Sequence, residues 1–227
     1  MDIVFHDGLE HNSLKPLTLT RPVSNLRVGI LTISEKWSLI LDARNISFAT
    51  VEHLRKKFPE KPGDVNIRGG LLPNPDLVEA IKLLKNGQCL MSGGEWLADK
   101  NGEVSIPFHG SYQIIKRPEN IFSFNKEELN SDFNLLTLGR KSEPIPVSNK
   151  VFGRRVFLEK GARVEGATLN SLDGPIYLAQ DSEVMEGSMI RGGFALGESS
   201  KLKLGTKIYG ALSLIHISEP TRRRGNS

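Results

Sequence analysis

The chain has 227 residues, 38% of them hydrophobic, with 30 Lys and Arg against 26 Asp and Glu for a formal net charge of +4. Residues 212–227 carry three of the basic and one of the acidic side chains, so residues 1–211 hold 27 against 25, a net +2 that excludes the basic stripe of a nucleic-acid binder. The single cysteine, Cys89, excludes an internal disulfide framework and fits a reducing compartment. The start, MDIVFHDG, lacks the basic and apolar regions of a signal peptide. No apolar run reaches the roughly 18 residues of a membrane span. A cytoplasmic protein with no nucleic-acid and no membrane partner is the expectation.

In chain order, Asp2–Phe5 predicts a strand ending at His6-Asp7-Gly8. The apolar run Val28–Ile33 leads into a helix with Ser34 as its cap and Trp37, Leu39, Ile40 and Leu41 as apolar contacts. Residues 46–51 read as a strand, 52–58 as a short helix and 64–67 as a strand. Asn74-Pro75-Asp76 then opens a helix with a polar cap and proline at its first position, and Leu77, Ile81 and Leu84 form its buried stripe. Residues 88–91 form a further strand. This alternation predicts an α/β domain with a mainly parallel sheet. A linking helix follows over 125–139, capped by Asn125 with Glu128 three residues on, and Leu129, Phe133 and Leu136 on one face. Residues 141–150, with Pro144 and Pro146, read as an extended linker.

The remainder changes period. Leu172, Leu178, Val184, Ile190, Leu196, Leu202 and Ile208 recur every six residues, and Ser182, Ser188, Ser200 and Thr206 stand two residues before four of them. Neither a helix nor a flat strand produces that period. A parallel β-helix does, because each short face sends one aliphatic inward and then turns. An earlier phase, set by Leu158 and Val164, is displaced by an insertion around Asn170–Gly174. The stack stops at Gly210-Ala211, where a last coil would leave an open edge, so the β-helix is read as truncated. The stretch LSLIHISEPTR (Leu212–Arg222) back-translates in one frame to a sequencing-library adapter, so residues 212–227 are read as a non-native tail that packs poorly and belongs to no coil, and His216, Pro220 and Arg222–Arg224 are assigned no role. The expected organisation is an α/β domain over 1–140, a linker over 141–150, an incomplete hexapeptide-repeat β-helix over 151–211 and the tail.

Three stretches carry a family resemblance: PLTLTRPVSNLRVGILTISEKW (Pro16–Trp37), DFNLLTLGRKSEPIP (Asp132–Pro146) and the repeat from Gly174 to Ala211. In these, and in the order of its domains, the chain resembles the GlmU-like bifunctional enzymes, and more closely a variant bacterial branch of sugar nucleotidyltransferases. The resemblance spans nearly all of residues 1–211 and is weakest over 95–120. It implies a Rossmann-like nucleotidyltransferase domain followed by a left-handed β-helix bearing an N-acetyltransferase. It also implies UTP or another NTP and a sugar-1-phosphate as substrates, Mg²⁺ and acetyl-CoA as cofactors, a homotrimer for the full-length protein, and a product such as UDP-N-acetylglucosamine.

Nucleotidyl transfer must orient two polyanions and neutralise their charge. Arg21, Arg27 and Lys36 are the cations in the resembling segment, Thr18 lies in the same Thr-rich loop, and Asp7 and Asn66 stand near strand ends, where α/β sites form. These six are the candidate substrate-binding residues; no catalytic residue or metal ligand is assigned. Arg68, beside the glycine pair 69–70, is a further strand-end cation. Related enzymes carry G-x-G-T-R-[LM] and then P-L-T-x-x-x-P-K, whereas here Ser13 stands at the loop arginine and Val23 at the lysine. Two alternatives therefore stand beside the enzyme: a non-catalytic sugar-nucleotide-binding or assembly module, and an acyltransferase whose N-terminal domain only positions substrate.

Overall fold

In the computed structural model the described residues are 1–210, together with the backbone of Leu212–Leu214. The chain divides into two compact units, Met1–Ser123 and one that begins at Phe124. No helix among the described residues is long and apolar enough to cross a membrane.

The first unit is built on six strands: β1 (Asp2–His6), β2 (Asn45–Ala49), β3 (Val65–Arg68), β4 (Gln88–Ser92), β5 (Glu95–Asp99) and β6 (Val104–Pro107). Their order is β2-β1-β3-β5-β4-β6. β1 pairs in parallel with β2 and β3, and β6 with β4, but β5 is antiparallel to both β3 and β4. The sheet is therefore mixed, and the expectation of a mainly parallel sheet needs correction beyond β3. The cause is local: Gly93 and Gly94 adopt φ of +56° and +82°, the backbone that a tight two-residue hairpin needs and that glycine reaches without steric cost. Ile3, Phe5, Val65 and Ile67 are at most 1% exposed, which places the main apolar core on one face of the sheet.

Four helices belong wholly to this unit: α1 (Glu10–Ser13), α2 (Ile33–Ile40), α3 (Glu52–Arg55) and α4 (Pro75–Leu83). Thr32, rather than Ser34, caps α2, with its hydroxyl accepting from the Glu35 amide and the Glu35 carboxylate accepting from the Thr32 amide. This reciprocal pair satisfies two donors at the helix start. The run before it is not a strand, because Gly29 turns the chain at φ +83° and Val28 N–H donates to Leu31 O. Trp37 is fully buried and donates its indole N–H to Leu71 O at 2.8 Å, whereas Leu39 is exposed. α4 forms as its sequence dictates: Asn74 Oδ1 accepts from Leu77 N–H, Pro75 occupies the first turn, and Leu77 and Ile81 are buried.

Helix α5 runs over Pro118–Thr137 and starts seven residues before the expected cap at Asn125. The signal lies in Pro118 at the first position, with the Asn120 carboxamide oxygen accepting from the amides of Lys116 and Arg117.

In the second unit every third strand falls in the same sheet. β7 (Lys150–Phe152), β10 (Thr168–Asn170), β13 (Met189–Arg191) and β16 (Lys207–Tyr209) form one parallel sheet. β8 (Val156–Leu158), β11 (Ile176–Leu178), β14 (Phe194–Leu196) and β17 (Leu212–Leu214) form a second. β9 (Arg163–Val164), β12 (Glu183–Val184) and β15 (Lys201–Leu202) form the third. Leu178, Val184, Ile190, Leu196 and Leu202 join one buried cluster fed by all three sheets, with Ile208 packed against it. Ser182, Ser188 and Ser200 are buried, and each hydroxyl donates to a backbone carbonyl.

Two expectations fail here. Leu172 is 70% exposed and lies beyond the end of β10, in which the position level with Ile190 and buried in the cluster belongs to Leu169. The inserted residues between β10 and β11 bulge out of a corner and carry Leu172 with them. The tail was expected to join no coil, yet the backbone of Leu212–Leu214 pairs in parallel with Phe194–Leu196. Its Leu-Ser-Leu sequence has the alternation of a strand. The other expectations for the tail lie outside the described residues.

Candidate functional site

Asp7 follows the last residue of β1 and is 2% exposed. Its carboxylate meets three donors: Val23 N–H at 2.7 Å on Oδ1, and the Thr50 hydroxyl and His11 Nδ1 on Oδ2, the latter at 3.0 Å. Thr18 is also fully buried and donates its hydroxyl to His11 O at 2.6 Å. His53 donates from Nε2 to Leu19 O at 3.1 Å. The structure thus brings Asp7 and Thr18 together, with their polar atoms turned onto the Pro16–Val23 loop.

Arg21 projects from that loop. It is exposed, makes no hydrogen bond or ion pair among the described residues, and lies at the junction of two clefts. The smaller, about 370 Å³, presents Arg21, Asn25, Glu35 and Lys57 beside the aromatic rings of Phe48 and Phe58. The larger, about 600 Å³, presents Arg21 and Arg27 between apolar walls that include Leu17, Leu26, Ile121 and Phe122. A guanidinium between a mixed polar cleft and an apolar, cation-bearing one suits a ligand with a phosphate at its centre and unlike groups on either side.

The other candidates are placed differently. Arg27 donates from Nη1 to Ile30 O, and its Nη2 is 3.8 Å from Glu35, so this side chain braces the turn before α2 as well as lining the larger cleft. Lys36 is 1% exposed and lines neither cleft. Asn66 joins a separate cluster. Its Nδ2 donates to Asp99 at 2.7 Å, opposite it across β3 and β5, and its Oδ1 is 3.1 Å from His6 Nε2. Neighbouring residues of an extended strand face opposite ways, so His6 meets Asn66 while Asp7 meets the loop. Arg68 is held between Glu10 and Glu95. Lys116 also binds Glu95, and that hydrogen bond holds the Glu95 carboxyl below the usual carboxylate range.

Sequence reasoning missed Glu35 and Lys57. Glu35 was legible as the third residue after Thr32 in a capping box. Lys57 ends the short basic run Arg55-Lys56-Lys57, whose sequence alone does not distinguish a cleft wall from a solvated surface. The three buried side-chain polar atoms without a hydrogen-bond partner among the described residues, His11 Nε2, Ser24 Oγ and Arg27 Nε, all lie on the segment 11–27. Native structures leave few such atoms, and their concentration singles this segment out.

A family described as sugar nucleotidyl transferase matches residues 3–141, more than half of the chain. The chain belongs to the sugar nucleotidyl transferase family. Among curated proteins, none matches it. The match covers all but the first two residues of the first unit and includes both clefts. In this sugar nucleotidyl transferase the two positions that depart from the commoner motif have structural work. The Ser13 hydroxyl donates to Lys116 O at 2.6 Å, and buried Val23 gives its amide to Asp7.

Enzymes of this family typically use Mg²⁺. Among the described residues, no group of three His, Cys, Asp or Glu side chains converges. Glu35 is the only carboxylate on the smaller cleft and already accepts from Thr32 N–H, while both Asp7 oxygens are occupied. A protein-built cage for a divalent ion does not fit these donors.

Proposed function

We propose that the chain transfers a nucleotidyl group to a sugar-1-phosphate, with UTP and N-acetylglucosamine-1-phosphate as the substrates and Arg21 as the phosphate contact. The observation that carries this reading is the exposed Arg21 guanidinium, without a partner among the described residues, at the meeting of the two clefts, within the span matched by the family. A phosphate oxygen of the sugar-1-phosphate attacks the α-phosphorus of the NTP. The new P–O bond forms as the bond to the β-phosphate oxygen breaks, and pyrophosphate leaves with that electron pair. The protein's part is to align the two phosphates and offset their charge. Arg21 can hold two oxygens at once, Arg27 adds charge on the apolar side, and Lys57 adds it on the polar side.

For the second unit the reading is a left-handed hexapeptide β-helix of a GlmU-like protein that forms a trimer and is associated with acetyl-CoA-dependent acyl transfer. The three rotating parallel sheets and the period-six aliphatics support it. Its described residues include no histidine to serve as an acyl-transfer base. A cytoplasmic location belongs to the same reading, since that is where such substrates would be met. A second reading, a module that binds sugar nucleotides without turnover, is favoured by Ser13 and Val23, which put a backbone tie and a buried side chain where related enzymes carry cations.

Replacing Arg21 tests the site. Arg21→Ala is expected to cost about 2–3 kcal/mol of transition-state stabilisation, a fall in kcat/KM on the order of 30- to 150-fold. Arg21→Lys restores the charge without the planar fork and should recover only part. Unchanged UTP binding and turnover in Arg21→Ala would remove the site assignment.

A further inference from the structure

We infer that Asp7 is a positioning residue: with Thr50 and His11 it forms a buried latch that holds the Pro16–Val23 loop in the conformation that presents Arg21. The inference rests on the reading of Arg21 as the phosphate contact. Five polar contacts define the latch. Asp7 Oδ1 accepts from Val23 N–H, two residues beyond Arg21, and Oδ2 accepts from Thr50 and His11. Thr18 donates to the carbonyl of His11, and His53 holds the carbonyl of Leu19. The loop is thus tied at residues 18, 19 and 23, on both sides of the guanidinium. Asp7, His11 and Thr18 are at most 2% exposed and Thr50 is 5%, so the ties form where water does not compete for the donors.

The chemistry demands a carboxylate. Three donors converge on Asp7, and only an acceptor-only group can meet them all. An asparagine offers one oxygen and one NH₂. The Val23 amide can only donate, so the oxygen must turn to it and the NH₂ must face Thr50 and His11. Thr50 can rotate to accept. His11 would have to present a lone pair at Nδ1 and carry its proton on Nε2, a buried atom with no partner among the described residues. Asp7→Asn therefore keeps the shape and one tie but leaves a buried donor unmet, which loosens the loop without emptying the core.

The test pairs hydrogen exchange with a double-mutant cycle. In Asp7→Asn, amide exchange across residues 17–23, and at Val23 above all, is expected to speed up by about tenfold or more. Thr50→Val should show the same sense of change, whereas Thr50→Ser keeps the hydroxyl and should exchange slowly. In the pyrophosphate-release assay Asp7→Asn is expected to lower kcat/KM by about tenfold in the parent chain but by less than about twofold on an Arg21→Ala background, because a latch acts only through the group it presents. Fully multiplicative losses would overturn the inference, since Asp7 would then act independently of Arg21. Unchanged exchange at residues 17–23 would overturn it as well. If Arg21→Ala itself leaves turnover intact, the phosphate reading fails, and the exchange result still decides the latch.

Discussion

Glu159 lies beneath two donors in the second unit: the Tyr177 phenol and the Arg140 guanidinium, 2.7 Å away, both reach Oε1. Gln180 N–H donates to Oε2 at 3.1 Å. Burial pushes the Glu159 carboxyl up, but the hydrogen bonds from Tyr177 and Arg140 outweigh it and hold the group below the ordinary range. Burial first, and then the neighbouring carboxylate, push the Tyr177 phenol well above its ordinary value. The sign follows from linkage. A carboxyl whose folded value is depressed contributes stability that is present above its unfolded value and lost as pH falls through the folded one. Acid unfolding followed by circular dichroism should therefore show the second unit weakening below about pH 4.3, with part of that weakening absent in Glu159→Gln. At neutral pH the same variant should cost about 1.5–3 kcal/mol, the range for a hydrogen bond to a charged group. A variant as stable as the parent at pH 7 would show that the cluster contributes nothing.

The elements divide by how local their signals are. α4 was legible because a capping asparagine, a first-turn proline and an apolar stripe occur together in ten residues, and all three act in the fold. β5 and β6 were not read. Glu95–Asp99 follows two glycines whose hairpin sets its direction against β4, but its place in the sheet depends on pairing with β3 nearly thirty residues earlier. The candidate site shows the same limit. The sequence pointed to the Arg21 loop, yet whether a polar side chain faces a cleft or the loop itself is decided by partners far along the chain, as Thr50 does for Asp7. In the second unit the six-residue period was legible over Leu178–Ile208, but extending it back to Leu172 crossed an insertion that only the register resolves. The two leucines give a direct contrast. Leu196 is fully buried, so Leu196→Ala should destabilise by about 2–5 kcal/mol in urea unfolding. Leu172 is 70% exposed, and Leu172→Ala should stay within about 0.5 kcal/mol of the parent. Equal effects would contradict the inward assignment.

At the scale of the whole molecule, two architectures share one chain, a mixed sheet with helices and a set of rotating parallel sheets, each with its own core. The resemblance to GlmU-like enzymes implies a closed homotrimer, so a protein carrying this second unit is expected to be a trimer. Light scattering that returned a monomer would remove the trimer. Amplification of source DNA across the codons for Ala211 and Leu212 should fail to yield the LSLIHISEPTR sequence, and its recovery there would make the tail native. The most direct test of the whole reading is pyrophosphate release. The purified chain, given UTP and N-acetylglucosamine-1-phosphate, is expected to release pyrophosphate with multiple turnovers and in equal amount to the nucleotide sugar formed, and Arg21→Ala to lose most of that rate. Tight UTP binding without pyrophosphate, across a panel of nucleoside triphosphates and sugar phosphates, would contradict the enzyme and leave the binding module.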